Sequence, residues 1–245
     1  MKDSRLNFNQ NNIVMVTGIG PGAGATTVAI TLAEFFKKKG EKTGYLQLPK
    51  GERKVENLDP YYMLTMDRES NWNSFYRLTT EGKSTKTTCN MNYAINWAVG
   101  LPGDRDLCLK VAETQRLMYG VPCQTLVVDG GAEPTDENLL MADLIVAVID
   151  PLPSKVLQNL EAVKRLKQLE YEGQKVVWIV NKMNKGVDLG QIVKNLKLTM
   201  HFELEFLPAE VLYGSQFKGQ ALVENGKLLD AFTPTFERII KEALK

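Results

Sequence analysis

The sequence predicts an α/β protein built on a mostly parallel sheet with helices on both faces. Three observations carry this. Short apolar runs rich in β-branched residues alternate with stretches of helical periodicity, which is how strands buried on both faces read. The first of these runs passes through a glycine-rich turn directly into an amphipathic segment. Finally, 44% of the 245 residues are hydrophobic, enough to bury a substantial core around one sheet. No internal repeat or linker composition divides the chain, so residues 1–245 read as one domain.

The elements follow in order. Residues 13–17 form the first strand. A helix spans 26–39, with Val28, Leu32, Phe35 and Phe36 on one face and Gly40 as its stop. Further strands are expected at 43–48, 95–99, 125–129, 144–150 and 175–181, and a short one around His201. Helices are expected at 107–119, 137–141, 155–169 and 228–244. Residues 1–12 form a polar arm. Residues 50–92 form an elaborated polar connection that carries Tyr61, Tyr62, Trp72, Phe75 and Tyr76 but shows no clear period and is too polar for a core of its own. Its aromatic-rich part, 61–76, is the expected partner surface, although some rings are expected to cover the sheet.

Composition narrows the function. Thirty Lys and Arg against 29 Asp and Glu leave no net field to draw the chain onto nucleic acid, which argues against such a partner. Cys89, Cys108 and Cys123 are odd in number and lack C-x-x-C spacing, so neither disulfides nor zinc are expected. The one histidine, His201, lacks the partners a His-based site needs and is expected to be structural. No stretch is apolar enough to span a membrane, and a cytoplasmic location is expected. The closing helix is amphipathic, but Glu237 and Glu242 interrupt its basic face, so it is expected to close the fold rather than to bind lipid.

The strongest chemical signal lies at 17–27, Thr-Gly-Ile-Gly-Pro-Gly-Ala-Gly-Ala-Thr-Thr, between the first strand and its helix. Glycines permit φ > 0 and let backbone N–H groups approach an anion, and the helix N-terminus adds partial positive charge. Two patterns compete for these residues. Gly18, Gly20 and Ala23 satisfy the dinucleotide fingerprint G-x-G-x-x-G/A, which requires an acid ending the second strand. That strand ends Gln47-Leu48-Pro49 with no acid. Gly24-Ala25-Thr26-Thr27 instead aligns with the end of a Walker A loop, G-K-[ST]-[ST], and strand 125–129 ends in Asp129 as a Walker B strand does. The P-loop reading fits better. It places Gly20, Pro21, Gly22, Ala23, Gly24, Ala25, Thr26 and Thr27 around the phosphates of ATP or ADP, with Mg²⁺ on the Thr26 hydroxyl and, through water, on Asp129. Asp129 also has a plain reading as a turn or cap residue, and Asn181 as the end of a strand.

Taken together, these motifs resemble the ParA/MinD group of deviant Walker ATPases across nearly the whole chain. The run from Asp129-Gly130-Gly131 through 137–150 is similar to that group's Walker B strand, helix and following strand. The resemblance implies that Asn181, ending Val177-Trp178-Ile179-Val180-Asn181-Lys182, reads the adenine edge. It also implies that Pro208, in Leu207-Pro208-Ala209-Glu210, flanks the nucleotide, and that the protein acts as a homodimer. Within the group, 186–192, 99–102 and 151–154 resemble the CpaE/TadZ type of pilus-assembly protein.

The departures from that group matter as much. The Walker lysine is Ala25, the signature lysine that reaches a partner's nucleotide falls at Gly20, and the acids ending the second strand fall near Gln47 and Pro49. A lysine contact to transferring phosphate is worth roughly two to three orders of magnitude in rate, so little hydrolysis is expected. Backbone groups, Thr26, Asp129 and Asn181 remain for binding. The expectation is a nucleotide-binding scaffold or spatial regulator; the alternative is an active ATPase with displaced catalytic groups, with Lys50 or Lys54 as candidate replacement cations.

Overall fold

The structure, a computed structural model, describes residues 12–49, 55, 57–65, 71–218 and 221–243; Lys50 and Lys54 lie outside these. The first half of the chain runs β1 (Asn12–Gly18), α1 (Ala25–Lys38), β2 (Thr43–Gln47), α2 (Asp59–Thr65), α3 (Phe75–Thr80), β3 (Met91–Asn92), β4 (Ile95–Ala98) and α4 (Val111–Gly120). The second half runs β5 (Thr125–Asp129), α5 (Asp136–Leu140), β6 (Leu144–Ile149), α6 (Pro153–Gln158), α7 (Leu160–Tyr171), β7 (Val176–Met183), α8 (Leu189–Leu196), β8 (His201–Glu205), α9 (Ala209–Phe217) and α10 (Gly226–Ala243).

These strands form one eight-stranded sheet in the order β3-β4-β2-β5-β1-β6-β7-β8. Every pairing is parallel except β3 with β4. Because side chains alternate along each strand, the buried strands feed two apolar layers. Val14, Val16, Val127, Val146 and Ile179 pack on one face with α1 and α10. Ile13, Met15, Val128, Ile145 and Trp178 pack on the other with α4 and α7. This explains why β1 and β6 read as continuous apolar runs: neither face meets water.

The strand order reverses at β1. The chain leaves β1 toward β2 on one side and later crosses from β5 past β1 to β6 on the other. The carboxyl ends of β1, β5 and β6 therefore diverge around a crevice, the place where open parallel sheets bind ligands. The glycine-rich segment leaves β1 at this edge. His201 opens β8 at the opposite edge, its ring Nδ1 3.2 Å from the Thr199 carbonyl oxygen.

Three elements differ from expectation, each for a local reason. The helix expected at 155–169 is two helices, broken at Asn159, whose φ of −119° leaves the helical region. The helix expected from 107 begins at Val111, where the Glu113 carboxylate accepts the Lys110 N–H at 2.8 Å and sets its start. Within 50–92, Ser74 caps α3 by accepting the Arg77 N–H at 2.9 Å, and Phe75 and Tyr76 are fully buried. Those two rings enter the main core instead of forming a separate one. Tyr62 stays exposed, so the part of 61–76 available to a partner is smaller than its aromatic content suggests.

The face built by α1 and α10 is closed by Phe236, fully buried, with ring centroids 5.6 Å from Phe35 and 5.9 Å from Phe232. Replacing a buried phenyl ring with a methyl leaves a cavity and loses transfer energy. Phe236→Ala should lower the unfolding free energy by about 3–5 kcal/mol, read from the midpoint of denaturant unfolding.

Candidate functional site

The glycine-rich loop is anchored at its root by three strands. The Gly18 N–H donates to the Gly131 carbonyl at 2.7 Å, and Ile19 N–H donates to Val148 at 2.7 Å. The Thr17 hydroxyl also donates to Gly131, at 3.1 Å. Beyond the root, Gly20, Gly22 and Gly24 have φ of 90°, 76° and 96°. Every second residue is thus left-handed, the backbone form in which successive N–H groups turn inward to make a concavity for an anion. On the Cβ side of Gly22 there is open space, whereas a Cβ on Gly24 would lie 2.4 Å from Asn181 Nδ2. Glycine at 24 is therefore required by both conformation and crowding. Gly24 caps α1, which starts at Ala25, so the concavity also receives that helix's N-terminal dipole.

Asp129 lies beneath the loop, 3% exposed. Its Oδ2 accepts the Tyr45 hydroxyl at 2.9 Å and its Oδ1 the Gly131 N–H at 3.1 Å. Burial pushes its carboxyl above the usual range, while hydrogen bonds from Thr26, Gly131 and Tyr45 pull the other way. Burial likewise pushes the Tyr45 hydroxyl well above its ordinary value, with the Asp129 charge adding to the effect. Thr26, half-buried at the first turn of α1, is therefore hydrogen-bonded to the buried Asp129. A hydroxyl beside a carboxylate, with no thiol or imidazole, is the hard-oxygen donor set that suits Mg²⁺. The residues present fit a magnesium–phosphate ligand, which would find its anion cradle in the loop and its cation partners in Thr26 and Asp129.

The positions at which the sequence departs from the ParA/MinD pattern are engaged as follows. Ala25 is buried and packs into the α1 core. At Gly20, a Cβ would meet Asn159 side-chain atoms at 2.4–2.7 Å. Asn159 Nδ2 donates to the Lys155 carbonyl at 2.7 Å, and its amide lies against Gly20. Gln47 is 6% exposed and both ends of its amide are engaged. Its Nε2 donates to Asn57 at 2.8 Å, and its Oε1 accepts the Gly100 N–H at 3.0 Å. Gln47 is thus a strut between β2 and its neighbouring loops.

The end of β7 approaches the loop from the other side. Asn181 Nδ2 donates to the Ala23 carbonyl at 2.8 Å, and its Oδ1 accepts the Lys182 N–H at 2.9 Å. Lys182 Nζ donates to the Gly22 carbonyl at 2.6 Å and pairs with Asp150 Oδ2 at 2.7 Å. Lys155 Nζ reaches the Pro21 carbonyl at 3.3 Å. The sequence-predicted residues 20–27, Asp129 and Asn181 thus come together. Pro208, exposed, lies at the turn into α9, its carbonyl accepting the Val211 N–H at 2.9 Å. Sequence reasoning missed Tyr45, Asn159, Lys155 and Lys182; the only local hint was Lys182 following Asn181. Beside the loop, Asp150, Lys182, Asn184, Ile192 and Phe206 line an open cleft of about 460 Å³. Among the described residues, no His, Cys, Asp and Glu cluster suits a transition metal, and no helix is long and apolar enough to cross a membrane.

Two outcomes follow from these environments. Folded Asp129 holds its proton more tightly than the unfolded chain does, so its contribution to stability is present below the ordinary carboxylate range and is lost as pH rises through its raised value. In metal-free buffer at neutral pH, Asp129→Asn should melt a few degrees above the wild type, and acidification should erase the gap. Gln47→Glu should do the opposite. It removes the donor to Asn57 and buries a carboxylate, so it should cost about 1–3 kcal/mol in thermal or denaturant unfolding.

No family profile and no curated protein sequence matches the chain. Solved structures do. MinD in the MinC:MinD cell division complex of Aquifex aeolicus superposes with a TM-score of 0.72 at 15% identity, over 96% of this chain and 97% of that one. A ParA family ATPase from Chlorobium tepidum TLS gives 0.73 at 13% identity, over 94% and 98%. The septum site-determining protein MinD of Pyrococcus horikoshii OT3, complexed with Mg-ADP, gives 0.66 at 14% identity, over 95% and 96%. At these identities the likeness is one of architecture, and the chain has the fold of the MinD and ParA P-loop ATPases.

Proposed function

We propose that this protein binds ATP or ADP with Mg²⁺ and works as a scaffold or spatial and assembly regulator, with little or no hydrolysis. One observation carries the reading: the phosphate loop keeps its anion-binding form while the groups that would cleave phosphate are absent and their places taken. Gly20, Gly22 and Gly24 hold left-handed conformations, and Thr26 is hydrogen-bonded to Asp129. Ala25, Gly20 with Asn159 against it, and Gln47 supply neither cation nor free acid. Losing one such transition-state contact removes roughly 10²–10³ in rate, and here several are gone together. Thr26 and Asp129 would hold the metal, which when bound would neutralise phosphate charge. Asn181, already tied to the loop at Ala23, would flank the base, and Pro208 would border it.

The Mg-ADP complex of the P. horikoshii protein supports the ligand class, and the cell division complex of A. aeolicus supports a positioning role; action as a homodimer is part of the proposal. The CpaE/TadZ likeness points to assembly of a surface appendage as one such role. The alternative reading, an active ATPase with displaced cations that positions DNA or a protein cargo, is favoured by one feature, the two lysines that reach the loop from β7 and α6.

Thermal melting separates these readings. With Mg·ATP or Mg·ADP at about 100 times Kd, binding should stabilise the fold by about 2.7 kcal/mol. Phosphate release should stay at background, and Thr26→Ala should weaken the magnesium-dependent part of the shift. Absence of any shift with either nucleotide defeats the proposal. Steady turnover that disappears in both Thr26→Ala and Asp129→Ala establishes the ATPase reading instead.

A further inference from the structure

Resting on the nucleotide-binding reading, we propose that Tyr45 is a positioning residue of the magnesium site: its buried hydroxyl fixes the Asp129 carboxylate in the orientation that holds a metal-bound water. Three observations meet on this residue. The first is register. Across β2 and β5, Tyr45 pairs with Val127 and Gln47 with Asp129. Side chains alternate along a strand, so Tyr45, Val127 and Asp129 share one face of the sheet, the face packed by α1. Asp129 lies two residues beyond Tyr45's own partner. The phenol crosses that diagonal and brings its hydroxyl to 2.9 Å from Asp129 Oδ2.

The second is the setting of that hydroxyl. Tyr45 is fully buried in the apolar layer under α1, its ring centroid 5.1 Å from that of Trp97. A phenylalanine would fill the same space with no polar group to satisfy, whereas a buried hydroxyl is costly unless it is bonded. The partner that satisfies it is Asp129.

The third is the use of the carboxylate's lone pairs. An ionised carboxylate offers about four acceptor sites. Tyr45 takes one on Oδ2 and the Gly131 N–H takes one on Oδ1, at 3.1 Å. Thr26 adds a third bond from the first turn of α1. Bonds on both oxygens stop the group turning about its Cβ–Cγ bond, and about one site is left for the water of a bound cation. Outer partners of this kind orient a carboxylate toward a metal, and losing one typically lowers metal affinity about 10–100-fold. The Gly131 donor is main chain, and Thr26 would itself touch the cation. Tyr45 is thus the side chain that orients Asp129 without touching the ligand.

The alternative role for Tyr45 is packing, as a ring beside Trp97. The magnesium dependence of ATP binding separates the two. ATP affinity is measured by calorimetry in EDTA and across a Mg²⁺ titration for wild type, Tyr45→Phe, Asp129→Asn and the double variant, each with its melting temperature. Tyr45→Phe keeps the ring, so its ATP affinity in EDTA should match wild type. Its half-saturating Mg²⁺ concentration with ATP present should rise about tenfold. In the Asp129→Asn background, Tyr45→Phe should cause no further rise, because the group it orients is gone. A loss of ATP affinity that is equal in EDTA and in Mg²⁺ overturns the proposal, since packing would then be the cause. A further rise in the double variant overturns it too. If wild type binds no ATP, or binds it equally with and without Mg²⁺, the underlying reading fails and this one with it. If wild type depends on Mg²⁺ and Tyr45→Phe depends on it to the same degree, only the assignment to Tyr45 fails.

Discussion

Everything at the candidate site depends on how β1 ends. Gly18 and Ile19 donate to carbonyls from two different neighbours, Gly131 beyond β5 and Val148 within β6. This double anchorage exists because β1 sits where the strand order turns, so the chain leaving it has a strand exit on each side. A loop with three left-handed glycines would otherwise be costly to order, since glycine loses more backbone freedom than any other residue. Held at its root and continued into α1, the loop keeps its concave form without a lysine to shape it.

The same anchorage explains why Asp129 is so deeply buried. The residue closes β5 directly beneath the loop, and Tyr45 reaches it from β2 on the other side. A buried carboxylate beside hydroxyl and N–H donors, with no cationic side chain among those bonds, is poorly placed for stability. Stability is given up locally, and the surrounding sheet, apolar on both faces, supplies the excess that tolerates it.

Three positions where the sequence departs from the ParA/MinD pattern are each engaged by the fold. Asn159 fills the space beside Gly20, Gln47 braces two loops, and Ala25 joins the core. Gln47 illustrates this, since its two amide bonds tie β2 to residues 57 and 100, and an acid could make only one of them.

Local pattern made much of this legible. Continuous apolar runs marked β1, β5, β6 and β7, the 3.6-residue period marked α1 and α10, and strand–glycines–helix marked the loop with Thr26 at its exit and Asp129 at a strand end. The short helices α2, α3, α8 and α9 went unread, because six to nine residues hold too few turns for a period to show and their form depends on caps and packing. What the amino-acid sequence determined alone was the fold class, the loop and which groups the loop lacks, since these are properties of neighbouring residues. Only the tertiary structure decided what surrounds that loop. Tyr45 meets Asp129 across 84 residues, Asn181 meets Ala23 across 158, and Lys182 meets Gly22 across 160. No local spacing encodes such pairs; they arise when parallel strands far apart in the chain bring their carboxyl ends to one edge of the sheet.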